Sequence, residues 1–235
     1  MVCYFRFPGH ENVKLANSEL GSIPSGWEVK RVDEVSTIFR GRSYKSSELT
    51  DGLPFLNLKN VSRGGGFRHD GTKQYSGPYK EHQIAYPGDI IIAVTDMTQD
   101  RGIIARSARV PNIGISNFIY SMDLVRPLPN DDIESEYLLC MLSYSIFSEE
   151  VKEYANGTNV LHLSPARIAE YRFILPNLQI RSDFSNIVRP IFKLIDNLQR
   201  KNQNLLRTRE LFLPKLVSGK IDVSDSDIDI RETGV

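Results

Sequence analysis

Little in these 235 residues is suited to covalent chemistry or to crossing a bilayer. Cysteine is scarce: Cys3 and Cys140 are too few for a disulfide framework or a thiolate zinc site, which points to a reducing compartment. Apolar runs stop at about five residues, as in Ile90–Val94, where a membrane helix needs roughly 20. Met1–His10 has no basic stretch followed by an apolar one, so no secretory signal is read and a soluble, cytoplasmic protein is expected. Net charge is absent as well, with 29 Lys+Arg against 29 Asp+Glu. That balance excludes a globally basic nucleic-acid coat but leaves room for a local basic face.

Catalytic motifs are missing too. Gly219-Lys220 is followed by Ile221, so no phosphate loop is formed, and Gly64–Gly66 lacks the spacing of a dinucleotide fingerprint. The Asn/Asp-Pro-Pro-aromatic motif of amino-methyltransferases does not occur. His10, His69, His82 and His162 stand apart, without metal-ligand spacing. Glu-x-Lys triplets at 28–30 and 150–152 follow no acidic strand end. Asp89, after Pro87-Gly88, reads as turn chemistry rather than as half of a metal pair with Asp96. No catalytic residue and no metal ligand is assigned, and the chain reads as a binding protein.

What is present is a change of texture along the chain. Residues 1–20 read as a leader or linker, 21–175 as a β-rich domain, 176–220 as a long helical spacer and 221–235 as an acidic tail. Short β-branched runs between Gly and Pro punctuation predict strands at Glu28–Val32, Pro54–Lys59, Asp89–Thr95, Gly102–Val110 and Phe118–Arg126. Three- and four-residue apolar spacing predicts a helix over Glu134–Tyr154, stopped by Gly157. Ser164-Pro165 reads as a capped helix start, and Tyr171–Leu175 as a strand ended by Pro176. The fold class expected is α+β: one β-rich domain followed by a long C-terminal helix that forms a coiled coil.

That helix is predicted over Ile180–Leu213, about 50 Å at 1.5 Å per residue. Phe184, Val188, Ile191, Ile195, Leu198, Asn202, Leu205, Arg209 and Phe212 alternate by four and three, which is a coiled-coil seam. Asn202 and Arg209 fall at a positions, where a buried Asn fixes register and partner number. Ile187, Leu194, Leu206 and Leu213 widen the stripe, and Pro190 should kink the helix or mark its true start. Two readings stand: the helix packs on its own domain, or part of it pairs with a second long helix. Its length exceeds the 30–35 Å or so of a 150-residue domain and favours the second.

Between residues 36 and 80, Arg40, Arg42, Lys45, Lys59, Arg63, Arg68, Lys73 and Lys80 face only Glu48, Asp51 and Asp70. Tyr44, Phe67, Tyr75 and Tyr79 are interleaved with glycines. Such a surface suits phosphate contacts, and it also fits an ordinary solvated loop region. The polar run Thr95, Asp96, Met97, Thr98, Gln99, Asp100, Arg101 follows a strand. Gln can pair with adenine, Arg with guanine, and Asp can accept from cytosine N4, so the run suits base readout; a plain polar hairpin is the other reading. DNA-contact candidates are therefore the eight cations together with Tyr75, Thr95, Asp96, Thr98, Gln99 and Arg101.

Several segments in order carry a resemblance: Ile23–Val29 (IPSGWEV), Leu53–Val61 (LPFLNLKNV), Pro87–Ile92 (PGDIII), Gly157–Leu163 (GTNVLHL), Phe173–Pro176 (FILP) and Leu213–Ile221 (LPKLVSGKI). Together they resemble the specificity (S, HsdS) subunits of type I restriction–modification enzymes, over residues 21 to 221. The resemblance implies a target recognition domain at 21–175 that reads half of a split DNA site, and a helical measuring rod at 180–216. It implies methyltransferase (M) subunits that dock on the helical region and modify adenine N6, and restriction (R) subunits that cleave DNA. S-adenosylmethionine, ATP and Mg would belong to those partners, with no cofactor in this chain.

Full-length subunits of that family carry two recognition domains and two rods, and this chain has room for one of each. Phe5–Asn12 also resembles the segment that precedes the second recognition domain. The chain thus looks like a half subunit, which an antiparallel homodimer through the rod would complete; such a dimer should read a palindromic, interrupted site. Two other readings stay open. One is a truncated copy that binds only the methyltransferase subunit; the other is a stand-alone enzyme.

Overall fold

A computed structural model describes residues 12–221. The Phe5–Asn12 resemblance, apart from Asn12, and nearly all of the acidic tail lie outside the described residues. In chain order the elements are β1 Leu15–Ser18, β2 Gly21–Pro24, β3 Glu28–Arg31, the single turn α1 Val32–Val35, β4 Ser36–Arg40, β5 Leu53–Leu56 and β6 Lys73–Tyr75. There follow β7 Ile84–Ala85, β8 Ile90–Ala93, β9 Thr95–Asp96, β10 Ser107–Arg109, β11 Phe118–Tyr120 and β12 Leu124–Pro129. The rest is α2 Ser135–Tyr144, α3 Phe147–Val151, β13 Leu161–His162, α4 Pro165–Ala169, β14 Arg172–Leu175 and α5 Leu178–Val217. The class is α+β, a β-rich domain followed by a long helix.

Two four-stranded sheets form the domain, ordered β10-β8-β12-β4 and β6-β5-β11-β7. The first is antiparallel throughout; the second contains one parallel pair, β11 with β5. Strand β8 explains the longest apolar run in the sequence. Alternate side chains of a strand face opposite sides of its sheet, so a strand covered on both sides must be apolar at every position. Ile90, Ile92 and Val94 pack with Leu138, Leu142, Phe147 and Ile168 of the helices, while Ile91 and Ala93 pack with Leu56, Phe118 and Tyr120 of the second sheet. Pro127 and Pro129 are accommodated because β8 pairs with β12 only through Leu124 and Val125.

Several expected elements change under tertiary constraint. The strand expected at Gly102–Val110 shrinks to Ser107–Arg109, because Ala105 takes a left-handed conformation (φ 59°) and Ile103 N–H is bound by Asp96. Phe118–Arg126 divides at a turn into β11 and β12, which enter different sheets. Pro54–Lys59 leaves the strand after Leu56 and becomes a 3-10 turn, since Asn57 accepts from Lys59 N–H. The single helix expected over Glu134–Tyr154 breaks at Ser145, whose hydroxyl accepts from Phe147 N–H and restarts α3 so that Phe147 and Val151 reach the core. Ser164 stands before Pro165 but makes no capping bond through its side chain. Sequence reading misses the short elements α1, β6, β7 and β13, as well as β4 and a β1–β2 hairpin inside and beside the expected leader, tied down by Glu19–Arg172 at 3.3 Å.

Helix α5 has 40 residues and runs about 60 Å. It begins at Leu178, capped by Asn177, whose side chain accepts from Ile180 N–H, and it continues through Pro190 and Pro214. Pro190 is therefore not its start. The face toward the domain is largely polar. Arg181 donates to the Pro176 and Asp132 carbonyls and to Glu134; Arg189 pairs with Glu136; Asp196 accepts a bidentate pair from Arg109 at 2.8 and 3.0 Å. Arg109 also lies 5.1 Å from the Phe192 ring centre. Among the described residues, the last hydrogen bond from the helix to a domain side chain joins Gln203 and His69 at 2.9 Å.

Candidate nucleic-acid interface

The loop after β9 is built from its first residue outward. Asp96 is 2% exposed, and its carboxylate accepts from Thr98 N–H (2.9 Å) and Ile103 N–H (3.1 Å). It is a clamp that shapes the loop, so the expectation that Asp96 reads a base is corrected: both oxygens are occupied inside the fold. Thr95 is buried as well, and β9 is fixed by its pairing with β13. Gln99 donates to the Thr158 carbonyl at 2.9 Å, and Arg101, in a left-handed conformation, donates to Glu153 at 2.5 Å. Thr98, Gln99 and Met97 remain exposed, and Arg101 is half-buried.

Segment 153–162 backs that loop on one side. At Gly157 (φ 146°) any Cβ would collide with the Val160 carbonyl, so this turn admits only glycine; it follows the 3-10 turn Lys152–Tyr154 rather than an uninterrupted helix. On the other side stands loop 57–72. Two buried asparagines close it: Asn57 donates to the Gly71 carbonyl at 2.6 Å, and Asn60 donates to the Arg68 carbonyl and to Thr72. Sequence reading passed over both, although an Asn three residues after another at a strand end is a turn signal. From this loop Arg63 reaches across to Asp100 and Thr98.

The remaining basic residues divide into groups. Lys45, Lys59, Lys73 and Lys80 are exposed and form no ion pair among the described residues. Arg68 is exposed but paired with Asp70 at 2.6 Å, and Arg40 donates to the Met122 carbonyl. Arg42 is half-buried and donates to the Tyr75 hydroxyl at 3.3 Å. Tyr75 is corrected as a DNA contact: it is 1% exposed, stacked on Phe55, with its hydroxyl donated to the Pro78 carbonyl. The structure thus joins Arg63 to the 96–102 loop, and joins Arg42 to Tyr75 on the second sheet.

On α5 the expected seam faces mostly outward. Phe184, whose ring meets Tyr137 at 5.8 Å, and Val188 are half-buried; Ile191, Ile195, Leu198, Asn202, Leu205 and Phe212 are exposed, Leu205 at 67%. Among the described residues no cluster of His, Cys, Asp or Glu is arranged to hold a metal ion, and no helix is long and apolar enough to cross a membrane.

Comparison with known proteins agrees with this architecture. The family model described as "Type I restriction modification DNA specificity domain" matches residues 24–207. The MjaVIII specificity subunit of Methanocaldococcus jannaschii is 23% identical over 92% of this chain and 51% of its own length. The EcoKI specificity subunit of Escherichia coli is 24% identical, over 86% of this chain and 44% of its own. Among solved structures, the S subunit from M. genitalium superposes with a TM-score of 0.57 at 14% identity, covering 82% of this chain and 46% of that one. The HsdS subunit from Thermoanaerobacter tengcongensis gives 0.52 at 22% identity, covering 84% and 46%. The chain spans about half the length of the curated relatives it matches. With both four-stranded sheets, their loops and the first three-quarters of α5 inside the matched span, the chain belongs to the type I restriction–modification DNA specificity family.

Proposed function

We propose that this chain is a DNA sequence-recognition unit of a type I restriction–modification complex, equivalent to half of a specificity subunit. Its β-rich domain reads duplex DNA, and its helix α5 pairs with a second copy and receives the methyltransferase subunit. Adenine-N6 methylation and DNA cleavage are then the work of the partner M and R subunits. S-adenosylmethionine, ATP and Mg are bound there, and this chain has no catalytic role. The observation that carries the reading is the family match running through domain and helix together. Loop 96–102, shaped by buried Asp96 and flanked by Arg63, supports base readout by Thr98 and Gln99.

The exposed seam supports the homodimer. Its nine positions from Phe184 to Phe212 are centred on Leu198, so an antiparallel twin sets Phe184 against Phe212 and Ile191 against Leu205. Burying an apolar side chain of this size contributes about 1.5–3 kcal/mol when complete, and Ile191, Ile195, Leu198, Leu205 and Phe212 still expose 40% of their surface or more. A two-fold pair of this kind reads a palindromic, interrupted site. Internal pairing of Arg63, Arg68 and Arg101 favours a second reading, a fragment that binds the methyltransferase subunit without reading DNA.

Co-expression with a methyltransferase subunit, followed by genome-wide mapping of N6-methyladenine, separates these readings. A palindromic interrupted motif is the expected result. An asymmetric motif would replace the homodimer with a pair of unlike halves, and no new methylation would leave only the interaction fragment.

A further inference from the structure

Arg63 is the one cation of the expected basic face that points into the 96–102 loop. Its Nη1 donates to Asp100 Oδ2 at 2.5 Å, its Nη2 donates to Thr98 Oγ1 at 3.0 Å, and Nη2 lies 3.9 Å from Asp96 Oδ1. One guanidinium therefore faces two carboxylates, and the cluster carries net negative charge where a phosphate-contacting cation was expected. Asp100 does not swing freely. Its other oxygen accepts from Gly102 N–H at 3.0 Å and lies 2.6 Å from the Thr98 hydroxyl, which donates to Asp100 or to Asp96 but not to both at once. The Thr98 hydroxyl, the Gly102 N–H and Arg63 together hold the Asp100 carboxyl down to about 2, so it is ionised throughout the neutral range.

The packing around the pair is equally specific. A Cβ on Gly102 would stand 2.5 Å from Arg63 Nη1 and 3.3 Å from Asp100 Oδ1, so glycine at 102 gives the guanidinium its place. Both partners remain more than half exposed, Arg63 at 52% and Asp100 at 61%. The pair is thus fixed by its own loop yet open to an incoming ligand.

Resting on the DNA-reading function proposed above, we infer that Asp100 is a specificity-determining residue that withholds Arg63 from DNA phosphates in general. Lys45, Lys59, Lys73 and Lys80 meet any duplex without giving up an ion pair. Arg63 must exchange an oriented carboxylate for a phosphate, and the displaced Asp100 then repels that phosphate. The exchange goes forward only where the remaining contacts press the loop into a groove whose bases offer Asp100 a donor, such as the exocyclic amine of cytosine or adenine. Asp100, exposed and acceptor-only, thereby takes the place that sequence reading gave to Asp96.

A double-mutant cycle tests this on the full-length chain with a mixed-sequence duplex, titrated at several salt concentrations. Asp100→Asn keeps the acceptor for Gly102 N–H and removes the charge. It should tighten mixed-sequence binding on the order of threefold at low salt and steepen the log–log salt slope by about 0.9, the value of one added phosphate contact. Arg63→Ala should erase that gain, so that the double variant binds like Arg63→Ala alone. Co-expressed with a methyltransferase subunit, Asp100→Asn should methylate sites that depart from the wild-type motif. Unchanged thermal melting confirms that each variant is folded. An equal gain in both Arg63 backgrounds would reduce the effect to bare charge removal and overturn the inference while leaving DNA reading intact, as would an unchanged set of methylated sites. If the wild-type chain shows no salt-dependent binding, the DNA-reading proposal falls and this one with it.

Discussion

The β-rich domain and helix α5 deploy apolar side chains in opposite directions. In the domain they point inward: β8 is buried at every residue, between the second sheet and a helical layer. On α5 most point outward, with Phe184, Val188 and Phe192 among the half-buried exceptions, while Arg181, Ser185 and Asp196 are its buried residues. A helix that belonged only to this domain would turn its apolar stripe toward the core. Here the stripe is offset, and ion pairs do the docking. Polar docking fixes the direction in which the helix leaves the domain, and most of the apolar seam stays exposed.

Three variants probe that contrast, taken from the largest expected effect on folding to the smallest. Phe118→Ala empties a site shared by β5, β8 and β11 and should cost about 3–5 kcal/mol in urea unfolding, because little around it can collapse into the space. A loss below about 1 kcal/mol would mean that the two sheets do not share one core. Asp196→Ala leaves Arg109 without its bidentate partner and should cost about 1–3 kcal/mol. Hydrogen exchange should rise along 192–203 while the strands stay protected, and equal loss of protection in β8 would join helix and domain into one cooperative unit. Ile191→Glu combined with Leu198→Glu should change unfolding of the domain by less than about 0.5 kcal/mol, since both are exposed. The same pair should halve the mass of the assembly seen by light scattering. An unchanged mass would show that the seam is not where copies meet.

Legibility in the sequence followed the range of the interactions involved. The seam of α5 was readable because a 3.6-residue period is local, and the spacing from Phe184 to Phe212 states it without reference to anything else. The cap at Asn177 lies three residues upstream of the predicted start, an ordinary uncertainty of helix ends. Strand β4 was hidden because Ser36–Arg40 has only one face against the core and depends on its pairing with β12, some 90 residues further on. The loop after β9 was correctly singled out as polar, yet the roles within it could not be divided. Asp96 and Asp100 are the same residue type four positions apart, and only the backbone turn decides that one is 2% exposed and the other an open partner of Arg63. Tyr75 misled for a related reason: an aromatic among basic residues suits a nucleic-acid face and a core equally well.

By itself, then, the sequence determined a β-rich stretch followed by a long helix, the continuous apolar run Ile90–Val94 and the regular seam of α5. Each of these is written in spacing that neighbouring residues impose on one another. Tertiary structure decided which face of α5 meets the domain, through Arg109–Asp196 and Arg189–Glu136, and which carboxylates stay exposed. It also decided that Arg63 begins inside an ion pair with a residue 37 positions away. Charges and hydrogen-bond partners are matched across loops that come together only when both sheets are closed.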